Sequence, residues 1–230
     1  MSSTTTTTKA KRVIAMVFDT ETTGLPKDGR YNASPKETDV WPRMVQLGMA
    51  LLYDDGSTDN WCELIAPPDG VAFPIPAAAT NTHGITDEMC RERGIALIRV
   101  LEAFSAWSAK APVLVAHNME FDRPVVIAEM IRSKALPAVK LDDFGNPIKQ
   151  ATICTKLSTM AFVGIPLGWY IPGQPHKWPS LQELHTKLFG TGFEDAHDAM
   201  IDVLATCRCF HRLIQLGTFP NSTTFLPTQA

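Results

Sequence analysis

Two carboxylates stand one residue apart at the end of an apolar run in "VFDTETTGLP" (17–26): Asp19 and Glu21. Side chains two positions apart in a strand share a face, so the pair projects to one side and repels unless water or a cation lies between. Followed by the break at Thr22, Thr23 and Gly24, the pair forms the oxygen-rich arrangement that hard divalent cations need. Two solvated loop acids are the plain alternative. A further acid comes in "AHNMEFD", where an apolar run ends at Ala116, Asn118 can cap the next helix, and Asp122 falls near its first turn. The helix dipole alone would also favour an acid there. The richest stretch is "EDAHDAMIDVLAT", with Glu194, Asp195, His197, Asp198 and Asp202. At about 100° per residue, His197 and Asp202 lie about 140° apart on an ideal helix. Both can face one site only if His197 belongs to the preceding loop or first turn. Asp198 is then the N-cap, Asp202 the inward acid one turn later, and Ala199 leaves room for close approach. A structural histidine is the alternative for this stretch alone.

Those residues need elements that bring three distant segments together. Arg12 to Thr20, with "VIAMVF", is apolar on both faces and too short for a helix, which predicts a central strand. "MVQLGMALLYDDGSTDNWCELI" predicts two more strands joined at Asp54, Asp55 and Gly56. After a Pro-rich loop, "ITDEMCRERG" predicts a short helix capped by Thr86, and "IALIRVLEAFSAWSAK" a helix with Leu97, Leu101, Phe104 and Trp107 on its buried stripe. Val113 to Ala116 predicts a parallel-type strand, followed by a helix from about Met119 to Lys134, with Pro124 near its start. "QATICT" predicts a fifth strand. "SLQELHTKLFG" predicts a helix with a Ser180–Glu183 capping box and a stop at Gly190, and the longest helix runs from about Asp198 to Leu216. The expected fold is α/β: a mixed five-stranded sheet, with three antiparallel hairpin-led strands first and parallel strands after, and helices on both faces.

At 230 residues and 45% hydrophobic content, the chain suits one domain with a proper core, expected over residues 12–217. The polar residues 1–11 and the segment 218–230 are expected as tails, the latter draped through Phe219, Phe225 and Leu226. A formal charge of −3 gives no global pull on a polyanion, so any nucleic acid must be held by local features. Five unevenly spaced cysteines without a CxxC pair, and no apolar run of membrane-spanning length, predict a soluble intracellular protein. Cys207, Cys209 and His211 are expected as helix residues rather than a metal site, because positions two apart on a helix diverge.

"DTETTG", "HNMEFD" and "HDAMIDVLAT", in this order, resemble the three motifs of the DEDDh branch of the DEDD 3′–5′ exonuclease superfamily. That branch includes the proofreading subunit of bacterial replicative polymerase, ribonuclease T and the animal three-prime repair exonucleases. "MVQLG", "THGIT", "ICT" and "PSLQEL" extend the resemblance, which spans Val13 to about Leu216. It implies a ribonuclease H-like fold and release of nucleoside 5′-monophosphates from 3′ ends. It implies Asp19, Glu21, Asp122 and Asp202 as ligands of two divalent cations, Mg²⁺ or Mn²⁺, and His197 as the general base. The histidine five residues before the last acid separates this branch from the one with tyrosine there. With the four carboxylates neutralised, the formal charge becomes about +1, which no longer repels a polyanion. Substrate contacts are expected from Thr22, Thr23, Gly24, Leu25, His83, Ile85 and Asn118, with His176, Lys177 and Trp178 either at the lip of the site or as surface decoration. Single-stranded DNA ends are favoured over RNA, with a polymerase or a second copy as possible protein partners. An RNA-trimming exonuclease and a non-catalytic nucleic-acid or polymerase-associated module are the alternatives. An aspartyl phosphatase fits poorly, since Glu21 stands where that class requires Asp.

Overall fold

The structure is a computed structural model, and it describes residues 10–68, 74–134, 150–169 and 171–219. The expected tail up to residue 9, part of the Pro-rich loop, and Phe225 and Leu226 lie outside the described residues. The chain runs β1 (Val13–Thr22), β2 (Met44–Tyr53), β3 (Thr58–Ala66), α1 (Ala77–His83), α2 (Asp87–Arg93), β4 (Ile95–Ala96), α3 (Leu97–Ser108), β5 (Val113–Ala116), α4 (Met119–Arg132), β6 (Ala151–Cys154), α5 (Thr155–Ser158), α6 (Met160–Val163), α7 (Leu181–Phe189) and α8 (Ala199–Gln215).

The sheet order is β4-β3-β2-β1-β5-β6, with β1, β2 and β3 antiparallel and β4, β5 and β6 each parallel to its neighbour. Six strands therefore replace the five expected. The extra one is Ile95–Ala96, whose two residues pair with Ile65 and Ala66 just before α3 begins. The chain passes so closely there that a Cβ on Gly94 would lie 2.7 Å from the Ile65 carbonyl carbon.

Each face of β1 feeds a separate core. Met16 and Phe18 pack with Leu101, Phe104 and Val126 under α3 and α4. Ala15 and Val17 pack with Val203, Cys207 and Phe210 under α8. The alternation explains why this strand is apolar throughout: helices cover both its sides. Cys207 and Cys209 are buried helix residues, as expected. Phe219, beyond α8, is buried against Phe210, with ring centroids 5.3 Å apart.

Three local signals hold. Thr86 accepts from the Met89 N–H, Ser180 and Glu183 form the reciprocal capping box, and Gly190 ends α7 in a left-handed conformation. One segment expected as loop is helical: α1 lies between Pro76 and the left-handed Gly84.

Candidate active site

The central strand delivers the first acids, and α8 is seated against it through two residues of β2. Asp19 pairs with Gly48 and Glu21 with Gln46. Opposed residues of an antiparallel ladder share a face, so all four lie on the α8 side. A Cβ on Gly48 would sit 2.8 Å from both the carbonyl carbon and oxygen of Ala199, so only glycine allows α8 to start there. Gln46 accepts from the Ala199 N–H through Oε1 at 3.3 Å. Asp198 caps the helix, its Oδ1 accepting from Met200 N–H at 2.9 Å and Ile201 N–H at 3.2 Å. Asp202 follows one turn later. His197 stands outside the helix with φ 73°, and its N–H donates to Asp202 Oδ2 at 3.1 Å. The left-handed backbone at His197 turns the histidine to the acid's side, which removes the 140° conflict of an ideal helix.

Thr20, on the opposite face of β1, reaches the remaining acid. Its N–H and Oγ1–H donate to Asp122 Oδ1 at 3.1 and 2.8 Å, tying α4 to the end of the strand. Asn118 occupies the N-cap position of α4, but its side chain does not cap. Its Oδ1 instead accepts from Lys156 Nζ at 3.0 Å. Pro124 is the sixth residue of the helix, deeper than the sequence predicts.

The turn after β1 is fixed from several sides. Thr22 Oγ1 donates to the Gly24 carbonyl at 2.6 Å, Gly24 has φ 147°, and Leu25 is 71% exposed. Thr23 exchanges hydrogen bonds with Arg43: its N–H donates to the Arg43 carbonyl at 2.9 Å, and its Oγ1 accepts from the Arg43 N–H at 3.0 Å. The buried carboxylate of Glu129 holds Arg43 in turn, accepting at Oε1 from Arg43 Nε at 2.8 Å and from Met44 N–H at 3.0 Å. His83 Nδ1 accepts from Ile85 N–H at 3.0 Å. Its Nε2 therefore carries the proton and donates to the Thr22 carbonyl at 3.1 Å. The Ile85 side chain is buried with Val45, Leu64 and Cys90, so of this pair His83 alone points toward β1.

The acids perturb one another. Burial, then the charges of Asp122, Glu21, Asp202 and Asp198, push the Asp19 carboxyl well above the usual range. Burial and then Asp202 and Asp122 raise Glu21 to about 8. Burial raises Asp122 to about 7 against the opposing bonds from Thr20, and burial also raises Asp202. Either bound protons or a cation relieves such repulsion, and carboxylate oxygens are hard donors suited to a hard divalent cation. Ligand atoms of Glu21, His197 and Asp202 lie within 4.8 Å of one another. Asp19 and Asp122 line the same cleft of about 540 Å³, which Asn118, Lys156 and Trp178 also line.

Residues 16–210 match the family model RNase_T, described as exonuclease. The chain belongs to this exonuclease family. It is 31% identical over 221 residues to a DNA polymerase III subunit epsilon-like protein of Rhodobacter capsulatus, a match covering 95% of the chain and 26% of that relative. The chain thus spans about a quarter of that relative's length. Its fold is similar to E. coli exonuclease I in a zinc-bound complex with single-stranded DNA (TM-score 0.62, 17% identity, 93% of this chain and 42% of the other). It is also similar to exonuclease I of Methylocaldum szegediense (TM-score 0.58, 21% identity, 87% and 40%). The family match, with the acid motifs, places the chain in the DEDD superfamily, and the structural likenesses show its ribonuclease H-like fold. No described helix is long and apolar enough to cross a membrane.

The sequence did not point to Thr20, Gln46 or Gly48 as residues that position the acid cluster. "MVQLG" stands out by resemblance, but the reason, a helix start resting on Gly48, exists only once β2 and α8 are packed.

Proposed function

We propose that this exonuclease is of the DEDDh type and removes nucleotides from 3′ ends, preferably of single-stranded DNA, releasing nucleoside 5′-monophosphates. In this reading Asp19, Glu21, Asp122 and Asp202 hold two divalent cations, Mg²⁺ or Mn²⁺, and His197 is the general base. The supporting observation is convergence: acids from β1, α4 and α8, far apart in sequence, meet in one cleft with a histidine hydrogen-bonded through its backbone to the last of them. The preference for DNA draws on the polymerase-subunit relative and on the single-stranded DNA bound by exonuclease I.

When bound, the cations would supply positive charge to the phosphoryl oxygens and to the departing 3′ oxygen. The chain's own residues do the rest. Thr20 fixes one oxygen of Asp122, so that carboxylate needs no reorientation during turnover. The Asp198 cap and the Gly48 seat hold Asp202 against Glu21 and Asp19. His197 takes the proton of the attacking water, a role that an imidazole nitrogen can fill. The turn at Thr22 to Leu25, pinned by His83 and Arg43, offers Leu25 to the terminal nucleotide.

The test uses 5′-labelled single-stranded oligonucleotides with free or blocked 3′ ends, in DNA and RNA versions, with Mg²⁺ or Mn²⁺. Stepwise shortening from free ends with mononucleotide release is expected. Internal cuts in a blocked strand would exclude exonuclease action, and faster loss of RNA would overturn the DNA preference. Asp202→Asn should abolish turnover with the fold intact. His197→Ala should lose about 10²- to 10⁴-fold in rate. The closeness of His197 to Glu21 and Asp202 supports one second reading, in which the imidazole is itself a ligand. Metal titration of His197→Ala separates the two: unchanged affinity supports the base, and weakened affinity the ligand.

A further inference from the structure

The cleft that holds the acids is also lined by a lysine and a tryptophan, Lys156 and Trp178. Lys156 Nζ lies 5.1 Å from the centroid of the Trp178 indole while donating to Asn118 Oδ1. Among the described residues, no carboxylate lies within ion-pair distance of Lys156, whereas its neighbour Lys177 is paired with Glu183 at 2.6 Å. Trp178, one of the residues lining the cleft, is 49% exposed, a large apolar surface left in water.

Both residues are held through one histidine, by its ring and its backbone. His117 interacts through Nε2 with the Pro179 carbonyl at 3.1 Å, and this nitrogen must be the donor. Its Nδ1 therefore accepts from Thr155 Oγ1–H at 3.0 Å. The His117 carbonyl accepts from the Lys156 N–H at 3.1 Å. One side chain and its own backbone thus position the residue before Lys156, Lys156 itself and the residue after Trp178. The Lys177 N–H donates to the Ile165 carbonyl and Ser180 caps α7, which fixes the Trp178 segment on both sides. An exposed indole on a backbone so well anchored is a preformed platform, not a loose surface group.

We propose that Trp178 and Lys156 form a subsite for single-stranded nucleic acid in which one base stacks on the indole and the ammonium contacts an adjacent phosphate. This rests on the exonuclease reading above and extends it to how the strand is gripped. The acid floor repels phosphates except where cations are held, so the strand needs an attachment outside it. An ammonium carries three N–H donors, and Asn118 takes one. An indole face is available only to an unpaired base, so the subsite selects frayed or single-stranded ends over paired ones.

The experiment compares the full chain with Trp178→Ala, Trp178→Phe and Lys156→Gln, each first checked for an unchanged melting curve. With single-stranded oligonucleotides, Trp178→Ala should raise KM by about 5- to 150-fold, with a smaller change in kcat, and Trp178→Phe should recover most of the loss. An abasic nucleotide walked inward from the 3′ end should raise KM for the wild type at one position and leave Trp178→Ala indifferent there. Lys156→Gln should lower the slope of log affinity against log salt by about 0.7. Binding of oligo(dT) with Ca²⁺ present, followed by quenching of tryptophan fluorescence, reads the subsite without turnover. If the wild type binds through Trp178 but never shortens a strand, the subsite stands and the exonuclease reading fails. If Trp178→Ala matches the wild type in KM and in binding, the stacking proposal is overturned; an unchanged salt slope in Lys156→Gln overturns the phosphate contact.

Discussion

Gly48→Ala tests how the site is assembled without touching any acid. The added methyl would sit 2.8 Å from the backbone carbon and oxygen of Ala199 and 3.2 Å from its Cβ. Comfortable carbon contacts begin near 3.5 Å, so the start of α8 must retreat by roughly 0.7 Å. The obstacle is mostly backbone, which cannot rotate aside. That retreat carries Asp198, Asp202 and the His197 turn away from Asp19 and Glu21, and stretches the Gln46 contact with Ala199 N–H. Overpacking of this kind costs about 1–3 kcal/mol, or about 2–12 °C in Tm for a chain of this size. Misplacement by about 1 Å at a reacting centre costs about 100-fold in rate, so a loss of tens of fold or more is expected. The assay measures shortening of a 5′-labelled oligonucleotide at saturating Mg²⁺, well below both melting temperatures. Leu213→Ala is the control: it empties a fully buried position in the same helix, far along from the acids, and should cost about 2–5 kcal/mol with little change in the rate of folded enzyme. A Gly48→Ala protein that turns over at the wild-type rate would refute the view that this glycine sets the acid geometry.

Glu129→Ala should destabilise by about 3–5 kcal/mol in urea titrations, because it leaves Arg43 and Arg132 facing a buried site without the carboxylate they both contact. The damage should spread to the Thr23 turn, so KM for the strand should also rise. Metal-free protein should become less stable as pH rises from about 5 to about 8. Glu21 and Asp122 are raised to about 8 and about 7 when folded, above the ordinary carboxylate values near 4 in the unfolded chain. The folded state then holds more protons than the unfolded one, and deprotonation across that window disfavours it. Thermal melts in a chelator should show Tm falling across this range, with a flatter profile in Glu21→Gln; a Tm that rises through the window would contradict the electrostatics.

The acids were legible because their chemistry and their local signals coincide. Asp198 followed by small Ala199 marks a helix start, and that start forces His197 into the loop, where the structure places it at φ 73°. Cap and periodicity signals act over a few residues, so they survive in a bare sequence. Ile95–Ala96 shows the limit: two residues cannot display strand alternation, and the apolar stripe of α3 begins directly after them. Asn118 shows another, since its capping tendency loses to Lys156, a residue brought close only by the β5–β6 pairing. The α1 helix hid behind the prolines before it, although Gly84 marked its end.

The first and last acids of the site come from the first strand and the last helix, and that helix also closes one of the two cores around Ala15 and Val17. No smaller piece of the described fold can hold the complete set, so under the proposed exonuclease reading a partly unfolded chain would leave nucleic acid uncut. Activity would then be coupled to global cooperativity: in a urea titration, catalytic rate and helical circular dichroism should fall along one curve. A rate that vanished well before the ellipticity would mean that α8 peels away on its own.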